Sequence, residues 1–179
     1  MNVNNKYFLA VSSLNYRKNF IAVLQAFSKF CESSHNGDLY IIGDMKSDSF
    51  QGIDISNYRR NYRIKFLGRV CDEDLVKYYC NAVCFIFPSL YEGFGIPVIE
   101  AQACGCPVIS SNSSCLREVL GESAIMCSPT DIEGFANAMK SIYYDETLRN
   151  AIISKGFENA KRYSWEKSAQ IIAEQINTV

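Results

Sequence analysis

The sequence has little of several residue types on which common binding sites depend. It contains one histidine, His35, one tryptophan and four prolines, and its eight cysteines include no Cys-x-x-Cys pair. The ligand spacing of structural zinc sites is therefore absent. Lysine and arginine number 18 against 19 for aspartate and glutamate, so the net charge is -1. Because basic residues are not in excess, no overall positive field favours nucleic acid or an anionic membrane surface.

Long apolar runs are missing as well. No stretch of the sequence is long and apolar enough to span a bilayer, and the N-terminal segment MNVNNKYFLAV lacks the pattern of a signal peptide. These features predict a cytoplasmic protein, which could work at the inner face of the cell membrane through a partner or through a segment outside this sequence. The cysteines fall mostly within apolar segments such as NAVCFIF and AQACGCPV, which predicts reduced and mostly buried thiols.

The sequence does contain alternating strand and helix patterns. A length of 179 residues suits one domain with a sizeable core, and the predicted domain spans residues 1–179. Short apolar runs predict six strands, at residues 7–11, 39–43, 64–68, 83–87, 107–111 and 123–128. Because these runs are continuously apolar, both faces of the sheet are predicted to be covered, as in a doubly wound parallel α/β sheet.

Helical patterns separate the predicted strands. Residues 20–31 carry apolar side chains at helical spacing, and Asp72 is predicted to cap a helix that ends near residue 81. Pro97 suits the first turn of a further helix, which Gly105 ends. The three final helices have predicted N-caps, which are Asp131, Asp145 and Ser164.

Two loops at the carboxyl ends of the predicted strands carry candidate ligand-binding residues. Ligands of doubly wound sheets bind at this edge. The loop SSLNYRKN places Arg17 and Lys18 after the first strand, where two cations at a helix start suit a phosphate group. A solvated basic turn is the alternative for two adjacent basic residues.

The second loop is SLYEGFGIP, which follows the fourth strand. Gly93 and Gly95 allow the backbone to approach a ligand, and the helix that starts after them directs its dipole to the same place. Glu92 and Glu100 are carboxylates that can accept hydrogen bonds from sugar hydroxyls. Either glutamate alone is typical of a surface charge, but the combination favours a nucleotide sugar. The sequence GFGIPV indicates an NAD site only weakly. Its two glycines match the start of the dinucleotide fingerprint, but Val98 stands where the third small residue belongs.

A family resemblance rests on these same motifs. Residues 88–129 resemble the donor-binding half of retaining glycosyltransferases of family 4 with the GT-B fold. The shared signature is EGFGIPVIE, with Glu92 and Glu100 at its ends. The segments PSLYEGFG, EAQACGCPVISSNSS, LREVLGESA, VSSLNYRKN, IKFLGRVCDEDL and RYSWEKSAQ are also similar to the family. The resemblance runs from about Tyr7 to the end, and it implies a Rossmann-like sheet of about six strands with helices on both faces.

The resemblance also implies a function and a set of site residues. Family members transfer a hexose, here mannose or a similar sugar, from a GDP- or UDP-linked donor to a glycan or lipid-linked acceptor in surface polysaccharide or lipopolysaccharide biosynthesis. No metal or other cofactor is implied. The residues expected at the reacting sugar and diphosphate are Glu92, Lys18 and Arg17. The residues expected to bind the rest of the nucleotide sugar are Ser13, Arg69, Val70, Gly93, Phe94, Gly95, Ile96, Val98 and Glu100.

The sequence departs from the family in two respects. Ser12-Ser13 stand where the family often has Gly-Arg, and Tyr16 stands where it often has proline.

Whole enzymes of the family also have an N-terminal acceptor domain, which is expected to be absent here, so the domain alone is expected to be inactive or weakly active. The alternative is a non-catalytic nucleotide-sugar-binding subunit or remnant that needs a partner chain. The last helix, which packs on the first domain in the family, is expected to expose an apolar face.

Overall fold

The computed structural model of the chain describes residues 6–11, 16–33, 37–44 and 55–177. Within these ranges the chain forms a six-stranded sheet. The strands are β1 Tyr7–Val11, β2 Asp38–Ile42, β3 Ile64–Gly68, β4 Cys84–Phe87, β5 Val108–Ser111 and β6 Ile125–Cys127. The helices are α1 Phe20–Ser33, α2 Ser56–Arg59, α3 Asp72–Asn81, α4 Ile96–Ala103, α5 Leu116–Leu120, α6 Ile132–Tyr144, α7 Glu146–Ala160 and α8 Trp165–Asn177. A 3₁₀ turn at Tyr16–Lys18 precedes α1.

The sheet is parallel and its strand order reverses at the centre. The order is β3-β2-β1-β4-β5-β6, and β1 pairs in parallel with both β2 and β4. The chain therefore builds outward from β1 to one edge and then returns to add β4 on the other side of β1. The gap between the carboxyl ends of β1 and β4 is the topological switch point, where ligands of doubly wound sheets bind.

Helices cover both faces of the sheet, which confirms the predicted fold class. On β1, Phe8 packs in the core that includes α1 and α6, whereas Leu9 packs in the core that includes α3, α4 and α5. Each has a relative exposure of 0%. Alternate side chains thus enter two different cores, which explains why the strand is apolar throughout.

Local signals placed most element ends correctly. Asp131 and Asp145 accept hydrogen bonds from the amides of Gly134 and Leu148, and Ser164 accepts one from Lys167, so all three predicted caps are confirmed. The predicted cap at Asp72 is wrong, since Asp72 is the first residue of α3 and Cys71 is the N-cap. A carboxylate in the first helical turn interacts favourably with the helix dipole without being the cap.

The cysteines are less buried than the sequence predicts. All eight are unpaired, but only Cys84, Cys106 and Cys127 are buried. Cys71 and Cys80 are exposed, and the other three are half-buried. The prediction of mostly buried thiols is therefore wrong, because it considered the apolar neighbours along the chain and not which side of each helix faces water.

The last helix has the expected exposed apolar face. Trp165, Ile171, Ile172 and Ile176 on α8 are all exposed. None of the described helices combines the length and the apolar character needed to cross a bilayer.

Candidate functional site

The two predicted loops meet at the switch point between β1 and β4. The Nζ atom of Lys18 lies 2.7 Å from Oε1 of Glu92, although the two residues are 74 positions apart in the sequence. Their side chains are only 16% and 10% exposed. The Lys18 ammonium also lies 5.1 Å from the centre of the Phe87 ring. Because water is largely excluded, this ion pair is screened less than one on the surface.

Asn19 fixes the first loop against its neighbours. Its side-chain amide donates to the carbonyl of Pro88 at 3.1 Å and to that of Pro129 at 2.7 Å. Pro88 directly follows β4, and Pro129 follows β6. The amide of Leu90 also donates to the carbonyl of Arg17 at 2.8 Å. These bonds hold the turn that carries Lys18 against the loop that carries Glu92.

Ser114 holds the backbone of Glu92. Its hydroxyl accepts a hydrogen bond from the Glu92 amide at 3.0 Å and donates to the Glu92 carbonyl at 3.1 Å. The Cys115 thiol donates to the same carbonyl at 3.2 Å. Ser114 has a φ of 47°, in the left-handed region that costs a non-glycine residue energy. The two hydroxyl bonds offset that cost at the point where Glu92 is positioned.

Sequence reasoning missed Asn19 and Ser114 as supporting residues. For Ser114 the available signal was the polar run SSNSS, which begins within β5 and continues past the carboxyl end of that strand. Nothing in that run tells which hydroxyl reaches the other loop, because the contact depends on how β4 and β5 lie side by side.

Gly95 begins the helix that follows the glycine-rich turn. It is the N-cap of α4 with a φ of 98°, and its carbonyl accepts a hydrogen bond from the amide of Val98 at 3.0 Å. A Cβ atom at this position would lie 2.7 Å from Cδ2 of Leu116. Glycine is thus required here both by the backbone conformation and by the close approach of α5.

Gly95→Ala is expected to lower the free energy of unfolding by about 1–3 kcal/mol, since alanine is strained at this φ and its methyl group meets Leu116. Urea unfolding followed by circular dichroism measures the change. Gly93→Ala is the matched control, because a Cβ atom at Gly93 has nothing within 4 Å. Equal stability of the two variants would contradict the requirement for glycine at position 95.

Glu100 lies on α4, beyond the start of the helix. It is exposed, yet its pKa is raised above the ordinary value, first because neighbouring groups displace water from the carboxylate and second because Asp72 repels it. Asp72 is the first residue of α3, which packs beside α4. Its exposed carboxylate can accept hydrogen bonds from hydroxyl groups of a ligand.

A cavity of about 490 Å³ runs along α4, and Glu100, Phe94, Tyr163 and Trp165 are among its lining residues. This volume is in the range of small-molecule sites. In the described part of the chain its lining includes neither Lys18 nor Glu92. The cavity is therefore a different place from the Lys18–Glu92 pair.

The remaining predicted residues are distributed around this edge of the sheet. Arg17 is exposed in the 3₁₀ turn. Arg69 pairs with Asp44 at 3.1 Å but is 81% exposed, and it lies with Val70 between β3 and α3.

Phe94 and Ile96 are exposed beside Gly95, and Val98 is fully buried, with its amide already bonded to Gly95. Ser13 lies outside the described residues.

Comparisons with known proteins identify relatives of this chain. The family model described as "Glycosyl transferases group 1" matches residues 1–159. The chain is 33% identical over 163 residues to O-antigen chain mannosyltransferase B of Escherichia coli, covering 89% of this chain and 42% of that protein. It is 30% identical over 162 residues to the capsular polysaccharide biosynthesis glycosyltransferase CapM of Staphylococcus aureus, covering 88% of this chain and 41% of that protein. The chain thus spans less than half the length of either relative.

Solved structures show the same fold. Sucrose-phosphate synthase from Thermosynechococcus elongatus superposes with a TM-score of 0.83 and 26% identity, covering 100% of this chain and 47% of that chain. The Anabaena HepE protein, in complex with UDP-glucose, superposes with a TM-score of 0.86 and 21% identity, covering 98% of this chain and 50% of that chain.

Proposed function

The chain belongs to the glycosyl transferases group 1 family, and we propose that it is the donor-binding domain of a retaining glycosyltransferase of family 4 with the GT-B fold. In this proposal it binds a nucleotide-diphosphate sugar, from which a hexose is transferred. The observation that carries the proposal is the meeting of Lys18 and Glu92 at 2.7 Å at the switch point, from loops 74 residues apart. This places a cation that suits a phosphate group beside a carboxylate that suits sugar hydroxyls.

Lys18 is proposed to hold the donor diphosphate, with Arg17 on the same turn as a second cation. An ammonium group has three N–H donors, so Lys18 can keep its bond to Glu92 while it donates to a phosphate oxygen. Glu92 is proposed to accept hydrogen bonds from hydroxyls of the transferred sugar. As the glycosidic bond to the diphosphate breaks, negative charge grows on the leaving group, and a fixed cation stabilises it most at that stage.

Glu100 is proposed to bind the ribose hydroxyls of the nucleotide. Its exposed carboxylate can accept hydrogen bonds from two neighbouring hydroxyl donors. Arg69 and Val70, at the carboxyl end of β3, are proposed to contact the base. The backbone around Gly93 and Gly95 is proposed to lie against the sugar and the diphosphate, with no metal or other cofactor taking part.

The sugar is proposed to be mannose, and the product a surface polysaccharide. The support is that one similar protein is an Escherichia coli O-antigen mannosyltransferase and another is a Staphylococcus aureus capsular polysaccharide glycosyltransferase. Because the chain matches only 42% of the first of these, the groups that bind the acceptor are proposed to come from outside this sequence. Such an enzyme would act in the cytoplasm, at the inner face of the membrane that carries its acceptor.

A thermal-shift panel with GDP, UDP, GDP-mannose, UDP-glucose and NAD tests the proposal. A ligand at 100 times its Kd stabilises the folded chain by about 2.7 kcal/mol, so we expect the melting temperature to rise by several degrees with at least one nucleoside diphosphate or its sugar. The base that gives the rise identifies the donor. A rise with NAD alone, or no rise with any of the five, would contradict donor binding by this chain.

A further inference from the structure

Ser89 carries a buried hydroxyl that the fold does not pair. The residue has a relative exposure of 0%, and within the described part of the chain its Oγ atom has no hydrogen-bond partner. A hydroxyl that is taken out of water without a new hydrogen bond raises the free energy of the folded state. Most such groups in folded proteins bond either to another protein group or to an ordered water.

The backbone around Ser89 is held in place by two serines of β5. The hydroxyl of Ser111 donates a hydrogen bond to the carbonyl of Ser89, and the hydroxyl of Ser110 donates to the carbonyl of Phe87 at 3.3 Å. Both serines have a relative exposure of 0%. Ser89 therefore cannot move towards another protein partner without breaking contacts that fix the end of β4.

Ser89 lines a small cavity between the carboxyl ends of β1 and β4. Lys18 lines the same cavity, and the other described lining residues are apolar, among them Val11 and Phe87. The space open to the centre of a water molecule is about 10 Å³. This is close to the minimum for one ordered water and too small for a larger ligand.

Lys18 can supply the second polar contact that a buried water needs. Its ammonium group has three N–H donors, so it can keep its bond to Glu92 at 2.7 Å and also donate to a water molecule. The Ser89 hydroxyl can donate or accept, so it can bond to the same water.

We propose that one water molecule is bound in this cavity, where it bridges the Ser89 hydroxyl and the Lys18 ammonium group. The water accepts a hydrogen bond from Lys18 and satisfies the buried hydroxyl of Ser89. It also gives the ammonium group a further fixed partner, so Ser89 acts through the water as a positioning residue for Lys18. The benefit to diphosphate binding rests on the proposed function, whereas the water site itself does not.

A high-resolution crystal structure of the ligand-free wild-type chain tests the water site directly. We expect an ordered water at hydrogen-bond distance, about 2.7–3.2 Å, from both Oγ of Ser89 and Nζ of Lys18. A cavity without water density would overturn the proposal. A water that contacts only one of the two atoms would overturn it as well, because the bridge would be missing.

The stability of Ser89→Ala tests the site in solution, because the two states of the hydroxyl predict changes of opposite sign. Removal of an unpaired buried hydroxyl would leave the folded chain equally stable or more stable. Removal of a hydroxyl that bonds to a bound water is expected to lower the ratio of folded to unfolded chain roughly 5- to 30-fold. Urea unfolding followed by circular dichroism measures the ratio.

Ser111→Ala is the matched control, since its equally buried hydroxyl already has a protein partner. It should be less stable than the wild-type chain whether or not the water is bound. Stability of Ser89→Ala equal to or above that of the wild-type chain, with Ser111→Ala destabilised, would contradict the bound water. Neither measurement uses a nucleotide, so failure of the water site and failure of donor binding are seen in separate experiments.

Discussion

Lys18→Ala is expected to weaken the binding of nucleoside diphosphates and their sugars by roughly 30- to 150-fold, that is by about 2–3 kcal/mol. The variant removes the ammonium group at the switch point and with it the charge-assisted bond to phosphate. Calorimetric titration of the variant and the wild-type chain with the nucleotide found by the thermal-shift panel measures the effect. The loss should be equal for the nucleoside diphosphate and for its sugar, because the phosphates are common to both.

The same substitution also affects stability, and the two effects need separate measurements. Lys18→Ala leaves the Glu92 carboxylate, only 10% exposed, without its ion pair, which lowers the free energy of unfolding. Urea unfolding without ligand measures that part. Lys29→Ala is the control for binding, since Lys29 forms an ion pair with Glu133 at 2.8 Å far along α1. Equal nucleotide affinity in the Lys18 and Lys29 variants would rule out a diphosphate role for Lys18.

Glu100→Gln is expected to reduce the affinity for nucleoside diphosphates by roughly 10- to 100-fold, or about 1.4–2.8 kcal/mol, because a neutral amide is a weaker acceptor for ribose hydroxyls than a carboxylate. Inorganic pyrophosphate lacks the ribose, so its binding should not change. Glu122→Gln is the matched control, because Glu122 is exposed and precedes β6, at the amino end of the strands. Equal losses for pyrophosphate and the nucleotide would contradict ribose recognition by Glu100.

The free energy of unfolding should depend on pH differently in the wild-type chain and in Glu100→Gln, and the direction of the difference can be stated. The pKa of Glu100 is raised above 4.5 in the folded chain, so the folded state holds this proton more tightly than the unfolded state. The stabilisation that protonated Glu100 gives to the folded chain is therefore present at low pH. It is lost as the pH rises through the raised pKa of Glu100. Glu100→Gln removes that loss, so at neutral pH the free energy of unfolding of the variant should equal or slightly exceed that of the wild-type chain.

Nucleotide binding should depend on pH in the opposite direction. The ionised carboxylate is the acceptor, so affinity of the wild-type chain should decrease as the pH falls through the raised pKa of Glu100. The Glu100→Gln variant should lack this decrease. Titration calorimetry at a series of pH values, with stability measured in parallel, distinguishes the two dependences. A decrease of equal size in both proteins would assign the titration to another group.

The sequence alone determined the strands and most of the helices, although it did not predict α5. Continuous apolar runs gave all six strands, with ends shifted by no more than two residues, because a strand buried on both faces must be apolar throughout. Asp131, Asp145 and Ser164 were identifiable as caps because a cap bonds to an amide only three positions further on. Such interactions are short in sequence, so residue type and spacing are enough to predict them.

Contacts between distant segments were decided only by the tertiary structure. Lys18 reaches Glu92 because β4 returns to pair beside β1, and Ser114 reaches Glu92 because β5 then pairs beside β4. Strand order and helix packing arise from the burial of the whole core, to which each residue contributes without specifying its distant neighbour. The motifs could thus be read from the chain, but which side chains face one another was set by the folded sheet.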